Sequence, residues 1–247
     1  CVMAGDLRPY WQSADGAIVI YHGDMRELCA SLRADAVVTD APFGIADDAV
    51  LSAQPEKRRG ANNTWHPTSE WDKNFDPAWC RAACEAAPVV AWFGHRTKAR
   101  LVEDATPLPL RAEIVWAKNV HTSPPTPIAY RDERIWVFSR NAIVPQHFET
   151  TVWDEPVIPT WEHKYHKNQK PERLMSRLVR WVAAPSWTIL DPFMGSGTTL
   201  LVCQKLGRRC IGIDESREHC DTAIGRLGAV TAARAAESVG PLFSQRY

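Results

Sequence analysis

The sequence predicts an α/β fold, a mostly parallel twisted sheet with helices on both faces, and three observations carry that prediction. Apolar runs of strand length alternate with helical stretches along most of the 247 residues, the pattern of parallel strands joined by helical crossovers. One such run, 187–190, leads directly into Asp191-Pro-Phe-Met-Gly-Ser-Gly-Thr-Thr199, a glycine turn opening a helix. Another, 36–38, leads into Thr39-Asp-Ala-Pro-Phe43. Ligands bind beyond the carboxyl ends of parallel strands, so both strings are expected on one sheet edge despite their separation in the chain.

The elements follow in order. Residues 17–21 read as a strand, 25–32 as a helix and 36–39 as a buried strand. From 44 to 75 the periodicity dissolves into Gly, Pro, Asn and charges, a loop long enough to expect a function for it. Residues 77–86 are helical, 88–93 an apolar strand and 97–104 a short helix. Alternation makes strands of 111–117 and 133–138, with an irregular Pro-rich stretch between them. Residues 141–170 are again poorly periodic. Pro171 suits a helix start, and 172–182 continues the helix. Strand 187–190, helix 198–206, strand 209–213 and helix 216–227 complete the pattern. One domain over 1–247 is expected, with 44–75 and 118–130 as loop insertions.

Composition excludes several classes. Lys and Arg number 29, as do Asp and Glu, so overall charge gives no argument for a polyanionic partner, and any such surface must come from local clustering. Seven cysteines, an odd number without a CxxC pair, fit a reducing cytoplasm. Cys80 and Cys84 lack a second pair at zinc-ligand spacing and read as packing thiols, so no metal is expected. No apolar run reaches membrane-spanning length.

The glycine string lacks the Lys of a triphosphate-binding loop, which excludes a kinase or ATPase. Thr198 and Thr199 instead stand at a helix start, where free N–H groups and the helix dipole favour an anion. Asp214 ends the next strand, about 20 residues beyond the glycines, where a carboxylate accepts ribose hydroxyls. Glu215 follows it. Asp24, after the first strand, has two readings: contact with a cofactor's adenine amino group, or a cap on the next helix.

Taken together, His166-Lys-Asn-Gln-Lys-Pro-Glu172, Ile189 to Thr199 and Leu206-Gly-Arg-Arg-Cys-Ile-Gly-Ile-Asp214 resemble successive blocks of the β-group amino-methylating DNA methyltransferases. Trp71-Asp72 and Arg134-Ile-Trp-Val-Phe-Ser139 fit the same pattern. The resemblance implies a Rossmann-like methyltransferase fold, permuted so that the catalytic string precedes the glycine string. It implies S-adenosylmethionine as cofactor, held by Asp191, Pro192, Phe193, Gly195, Ser196, Gly197, Thr198, Thr199, Asp214 and Glu215, with Gln169 and Lys170 at its methionine end. Double-stranded DNA is the implied substrate; a homodimer and a companion restriction enzyme are the partners that such a protein suggests.

The resemblance makes Asp40, Ala41, Pro42 and Phe43 the catalytic string. An exocyclic amino group is a poor nucleophile because its lone pair is delocalised into the ring. Two acceptors, the Asp40 side chain and the Ala41 carbonyl, would turn that lone pair toward the methyl, and the carboxylate would stabilise the charge building on nitrogen. The family usually carries Asp-Pro-Pro-Tyr here. Pro42 still biases Ala41 toward extended backbone, and Phe43 keeps a face for stacking a flipped base, worth about 1–3 kcal/mol. The acidic residue favours adenine N6 over cytosine N4, a tendency of the family; cytosine or RNA methylation, or a catalytically weak binding module, are the alternatives. Lys57, Arg58 and Arg59 in one loop, and Lys118, Asn119 and His121 in the other, are the candidate nucleic-acid contacts.

Overall fold

The computed structural model describes residues 7–42, 75–119, 131–142, 147–159, 165 and 169–238, with side chains through 232. Among them, nine strands form one sheet: β1 (Trp11–Gln12), β2 (Ile18–His22), β3 (Ala36–Thr39), β4 (Val89–Gly94), β5 (Leu110–Ala117), β6 (Asp132–Ser139), β7 (Val152–Asp154), β8 (Thr188–Asp191) and β9 (Arg209–Asp214). Their order across the sheet is β1-β2-β9-β8-β3-β4-β6-β5-β7. The run from β2 to β4 is parallel throughout. Strand β6 is antiparallel to both of its neighbours.

The helices are α1 (Met25–Cys29), α2 (Pro77–Ala86), α3 (Ala99–Ala105), α4 (Glu172–Val182), α5 (Thr198–Lys205) and α6 (Arg217–Ser238). They cover both faces of the sheet. One face packs α4, α5 and α6 against Ile18, Ile20, Val38, Phe93 and Ile135. The other packs α1, α2 and α3 against Val37, Val90, Trp92 and Leu190. Alternate residues of one strand therefore serve different cores, as the period of two requires. This is why β3 and β4 are buried along their whole length and read as unbroken apolar runs.

Local chemistry sets the helix ends. Asp76 accepts from the Ala78 N–H at 2.8 Å and Pro77 takes the first turn of α2. Helix α4 buries Leu174, Met175, Leu178, Val179, Trp181 and Val182, a helical stripe, and leaves Arg173 and Arg180 to solvent. The expected helix at 97–104 divides into a 3-10 turn, Arg96–Lys98, and α3. The expected helix at 25–32 stops at Cys29, and the last one extends to Ser238. Strands β1 and β7 went unread because two and three residues are too few to show a period.

The topology positions the site. From β3 the chain passes through α2 to β4 on one side. From β8 it passes through α5 to β9 on the other. The direction of winding reverses between β3 and β8, and a crevice opens at such a reversal. The Asp40 string and the glycine string thus leave adjacent parallel strands, with Ala36 opposite Ile189 and Val37 opposite Leu190.

Candidate active site

Asp191 ties these two strand ends together. Its Oδ1 accepts from Thr39 Oγ1 at 2.8 Å and from the Phe193 N–H at 3.2 Å, and its Oδ2 from Thr199 Oγ1 at 2.5 Å. Burial pushes its carboxyl up to about 6, against the pull of these donors. The residue before Asp40 and the first turn of α5 are therefore fastened to one buried group.

A cleft of about 830 Å³ lies over this junction. Asp40, Ala41 and Pro42 border it on one side; Gln169, Lys170, Asp191, Pro192, Phe193, Gly195, Ser196, Thr198, Thr199, Asp214 and Glu215 border it elsewhere. The two glycines divide their work. Gly195 has φ +51, and a Cβ there would meet no atom within 4 Å, so its surface is open to a ligand. Gly197 has φ +79 and faces α6, where a Cβ would come within 2.6 Å of Ala223 Cβ. Expected as a ligand contact, Gly197 instead serves close helix packing and is absent from the cleft wall.

Asp214 holds the glycine turn from the next strand. Its Oδ2 accepts from the Gly195 N–H at 2.9 Å, and its Oδ1 from the Ser216 N–H at 2.8 Å. His219, also on the cleft, lies with Nδ1 3.1 Å from Oδ1. The hydrogen bond to Asp214 raises the imidazole above its ordinary value. Behind the turn, the buried Arg226 donates to the Ser196 carbonyl at 2.7 Å and to Thr198 Oγ1 at 3.2 Å. Asp24 caps α1: it accepts from the Arg26 N–H at 2.7 Å and pairs with the Arg26 guanidinium. Arg26 and Gly23, rather than Asp24, face the cleft.

Asp40 has a surrounding that the sequence did not disclose. Lys170 Nζ lies 2.5 Å from Asp40 Oδ2 and 3.2 Å from Glu133 Oε2. Lys118 donates to Glu133 Oε1. The Lys170 ammonium also stands 5.2 Å from the centre of the Phe93 ring. Asp40 Oδ1 is buried and has no hydrogen-bond partner among the described residues. Burial, reinforced by Glu133, raises the Asp40 carboxyl against the pull of Lys170. Burial alone would raise Glu133 too, but the ammoniums of Lys170 and Lys118 outweigh it and hold that carboxyl low. Burial opposes the charge on Lys170, yet the two carboxylates raise it above the ordinary lysine value, so it stays protonated.

Lys118 does not stand as the exposed DNA contact expected of it, whereas Asn119 is exposed. The Lys118 side chain is only 17% exposed and is paired with Glu133. Asn119 Oδ1 accepts from the Val157 N–H at 3.0 Å, tying two loops together. Phe43, Lys57, Arg58, Arg59 and His121 lie outside the described residues. Sequence reasoning missed Glu133, His219, Trp79 and Trp116 on the cleft wall. For Glu133 a signal existed: period two places it on the same face of β6 as the buried Ile135 and Val137, so an acid is aimed inward at a strand end.

A family model described as a DNA methylase, N6_N4_Mtase, matches residues 34–225. The chain belongs to this family of amino-methylating DNA methyltransferases. Among its relatives is the type II methyltransferase M.ScaI of Streptomyces caespitosus, 25% identical over 267 residues, covering 90% of this chain and 84% of that protein. The type II methyltransferase M2.DpnII of Streptococcus pneumoniae is 46% identical over 72 residues, 29% of this chain and 26% of its own length. Among solved structures, the M1.HpyAVI–SAM complex superposes with TM-score 0.63 at 24% identity, covering 85% of this chain and all (100%) of that one. The cytosine-N4-specific PvuII DNA methyltransferase gives TM-score 0.62 at 15% identity, with 94% of this chain and 96% of that one covered. These two establish the shared methyltransferase fold. Among the described residues, no helix of this methyltransferase is long and apolar enough to cross a membrane.

Proposed function

We propose that this DNA methyltransferase transfers a methyl group from S-adenosylmethionine to the N6 amino group of a flipped adenine, with Asp40 as the acceptor that activates the amine. The observation that carries this reading is the Asp40 carboxylate, whose residue borders the same cleft as the open face of Gly195 and whose Oδ1 has no hydrogen-bond partner among the described residues. A buried carboxylate oxygen without a donor costs free energy until one arrives, and an amino N–H is the donor that fits.

The residues present suit the cofactor. Gly195 leaves room for backbone approach, and the start of α5 favours an anionic group such as a carboxylate. Asp214 offers Oδ2 beyond its bond to Gly195, and Phe193, edge-on to Trp79 at 5.1 Å, supplies an apolar wall for a purine. When bound, S-adenosylmethionine supplies a methyl group already activated by positive sulfur.

Asp40 and the Ala41 carbonyl then accept the two amino hydrogens and turn the nitrogen lone pair out of the ring plane. As positive charge grows on nitrogen, the Asp40 carboxylate stabilises it, the more so in the low dielectric of the cleft. After transfer, one amino proton leaves to the Asp40 carboxylate, whose raised proton affinity suits it to that task. Lys170 remains protonated and serves to orient Asp40. The chain acts as one catalytic domain, with 44–75 and 118–130 as its candidate DNA-contacting segments.

The acidic side chain at position 40 is what favours adenine over cytosine. Tritiated-methyl transfer to unmethylated genomic DNA tests the activity, and nucleoside digestion with mass detection tests the base. Asp40→Ala is expected to abolish label while cofactor binding by calorimetry persists. Normal turnover by that variant would remove the acceptor role, and methylcytosine in the digest would overturn the adenine assignment.

A further inference from the structure

A buried positive charge stands behind the start of α5, on the side that a helix dipole disfavours. Arg226 on α6 is only 5% exposed. Its Nη1 donates to the Ser196 carbonyl at 2.7 Å, to Ser196 Oγ at 3.2 Å and to Thr198 Oγ1 at 3.2 Å. All three acceptors are neutral. The free N–H groups of a helix start carry partial positive charge, so a cation beside them is opposed. The first turn of α5 contains no acid, and its N-cap, Gly197, has no side chain to satisfy those groups. The carboxylate facing Arg226 Nη2 is Glu172, at 3.7 Å, and Lys205 draws on the same carboxylate at 2.5 Å.

The same guanidinium reaches the segment before α4. It lies 4.8 Å from the centre of the Tyr165 ring, and the Tyr165 N–H donates to Gln169 Oε1 at 3.0 Å. Gln169, Ser196 and Thr198 border the cleft, and Arg226 stands behind them. We propose that Arg226 is a positioning residue for the cofactor: its buried charge, acting through the Ser196–Thr198 turn, prepares the start of α5 for the carboxylate of S-adenosylmethionine. The proposal rests on the reading that the start of α5 receives that carboxylate. A buried cation beside like-signed N–H groups is costly until an anion arrives. The cofactor's carboxylate is that anion, and the low dielectric behind the turn lets the charge act across it. Arg226 therefore works without touching the ligand, by raising the potential at the turn and by fixing Ser196 and Thr198.

Two ligands and two proteins separate charge from structure. S-adenosylmethionine and its decarboxylated analogue differ only in the carboxylate. Both are titrated by calorimetry, without DNA, into the wild type and Arg226→Gln. Glutamine keeps an N–H donor for the Ser196 carbonyl and removes the charge. Close charge pairs across a binding site couple by about tenfold or more, so Arg226→Gln is expected to bind S-adenosylmethionine at least about tenfold more weakly. Its affinity for the decarboxylated analogue is expected to fall by less than about twofold, because that ligand has no anion to lose. Arg226→Lys, which retains the charge, is expected to keep the wild-type preference for the carboxylate within about threefold.

Equal loss for both ligands in Arg226→Gln would mark an arginine that only supports the fold, and it overturns the positioning role. Unaltered affinity for both overturns it as well. Should Arg226→Gln fail to fold, Arg226→Lys carries the test, and loss of the carboxylate preference in that folded variant overturns the proposal. If the wild type binds the two ligands equally, the carboxylate does not face the start of α5, and the parent reading falls instead.

Discussion

Thr39→Val tests how the two strand ends are fastened. Thr39 is fully buried and Asp191 is 4% exposed, so water cannot replace the lost hydroxyl at Oδ1. Valine fills nearly the same volume, which confines the change to one hydrogen bond. A bond to a charged group contributes about 1.5–3 kcal/mol, so the variant is expected to lose about 2 kcal/mol near pH 8, or roughly 4–8 °C in Tm for a chain of this size. The loss depends on pH. Burial lifts the Asp191 carboxyl from 3.8 to about 6 in the folded state, so the folded protein holds a proton that the unfolded chain has released between those values. The stability contributed by that proton is full below the unfolded value and is lost as pH rises through about 6. Removing a donor that favours the carboxylate lifts the folded value further. The deficit of Thr39→Val is therefore expected to shrink to about 1 kcal/mol near pH 5, where the carboxyl is neutral and the missing bond an ordinary one. Urea unfolding followed by tryptophan fluorescence at the two pH values, with unchanged m, measures both numbers. A deficit under about 0.5 kcal/mol near pH 8, or one equal at both pH values, would refute the argument.

Two further outcomes follow from the glycine turn. Gly197→Ala drives a methyl to within 2.6 Å of Ala223 Cβ at φ +79 and is expected to cost about 2–4 kcal/mol by chemical denaturation; a cost below about 1 kcal/mol would show that α6 yields freely. Asp214→Ala removes the acceptor for the Gly195 and Ser216 N–H groups and is expected to weaken S-adenosylmethionine binding at least about tenfold in calorimetry; unaltered affinity would take Asp214 out of the cofactor site.

What the sequence disclosed and withheld follows from the range of each interaction. Strand β3 and helix α4 were legible to within a residue because their burial is written in local periodicity. The adjacency of β3 and β8 was legible in part, since both strings follow apolar runs and must share an edge. The Lys170–Glu133–Lys118 chain was not, because it joins three segments whose spacing in sequence carries no sign of contact. Lys118 looked like a surface cation because its neighbours in sequence are loop-like; its partner lies across the hairpin. Asp24 shows the reverse case, where a local capping rule sufficed to read its bond to the Arg26 N–H.

The reversal of winding between β3 and β8 has a consequence for how such an enzyme can be encoded. The cleft needs two parallel neighbours to finish side by side, with Thr39 and Asp191 in reach of each other. Nothing in that requirement says which of them the ribosome makes first. Helices carry the backbone away from the junction in opposite directions, so the polypeptide can be cut and rejoined far from the chemistry while the reacting groups keep their places. Gene order is thus a free variable of this architecture, and spatial order is what the chemistry requires.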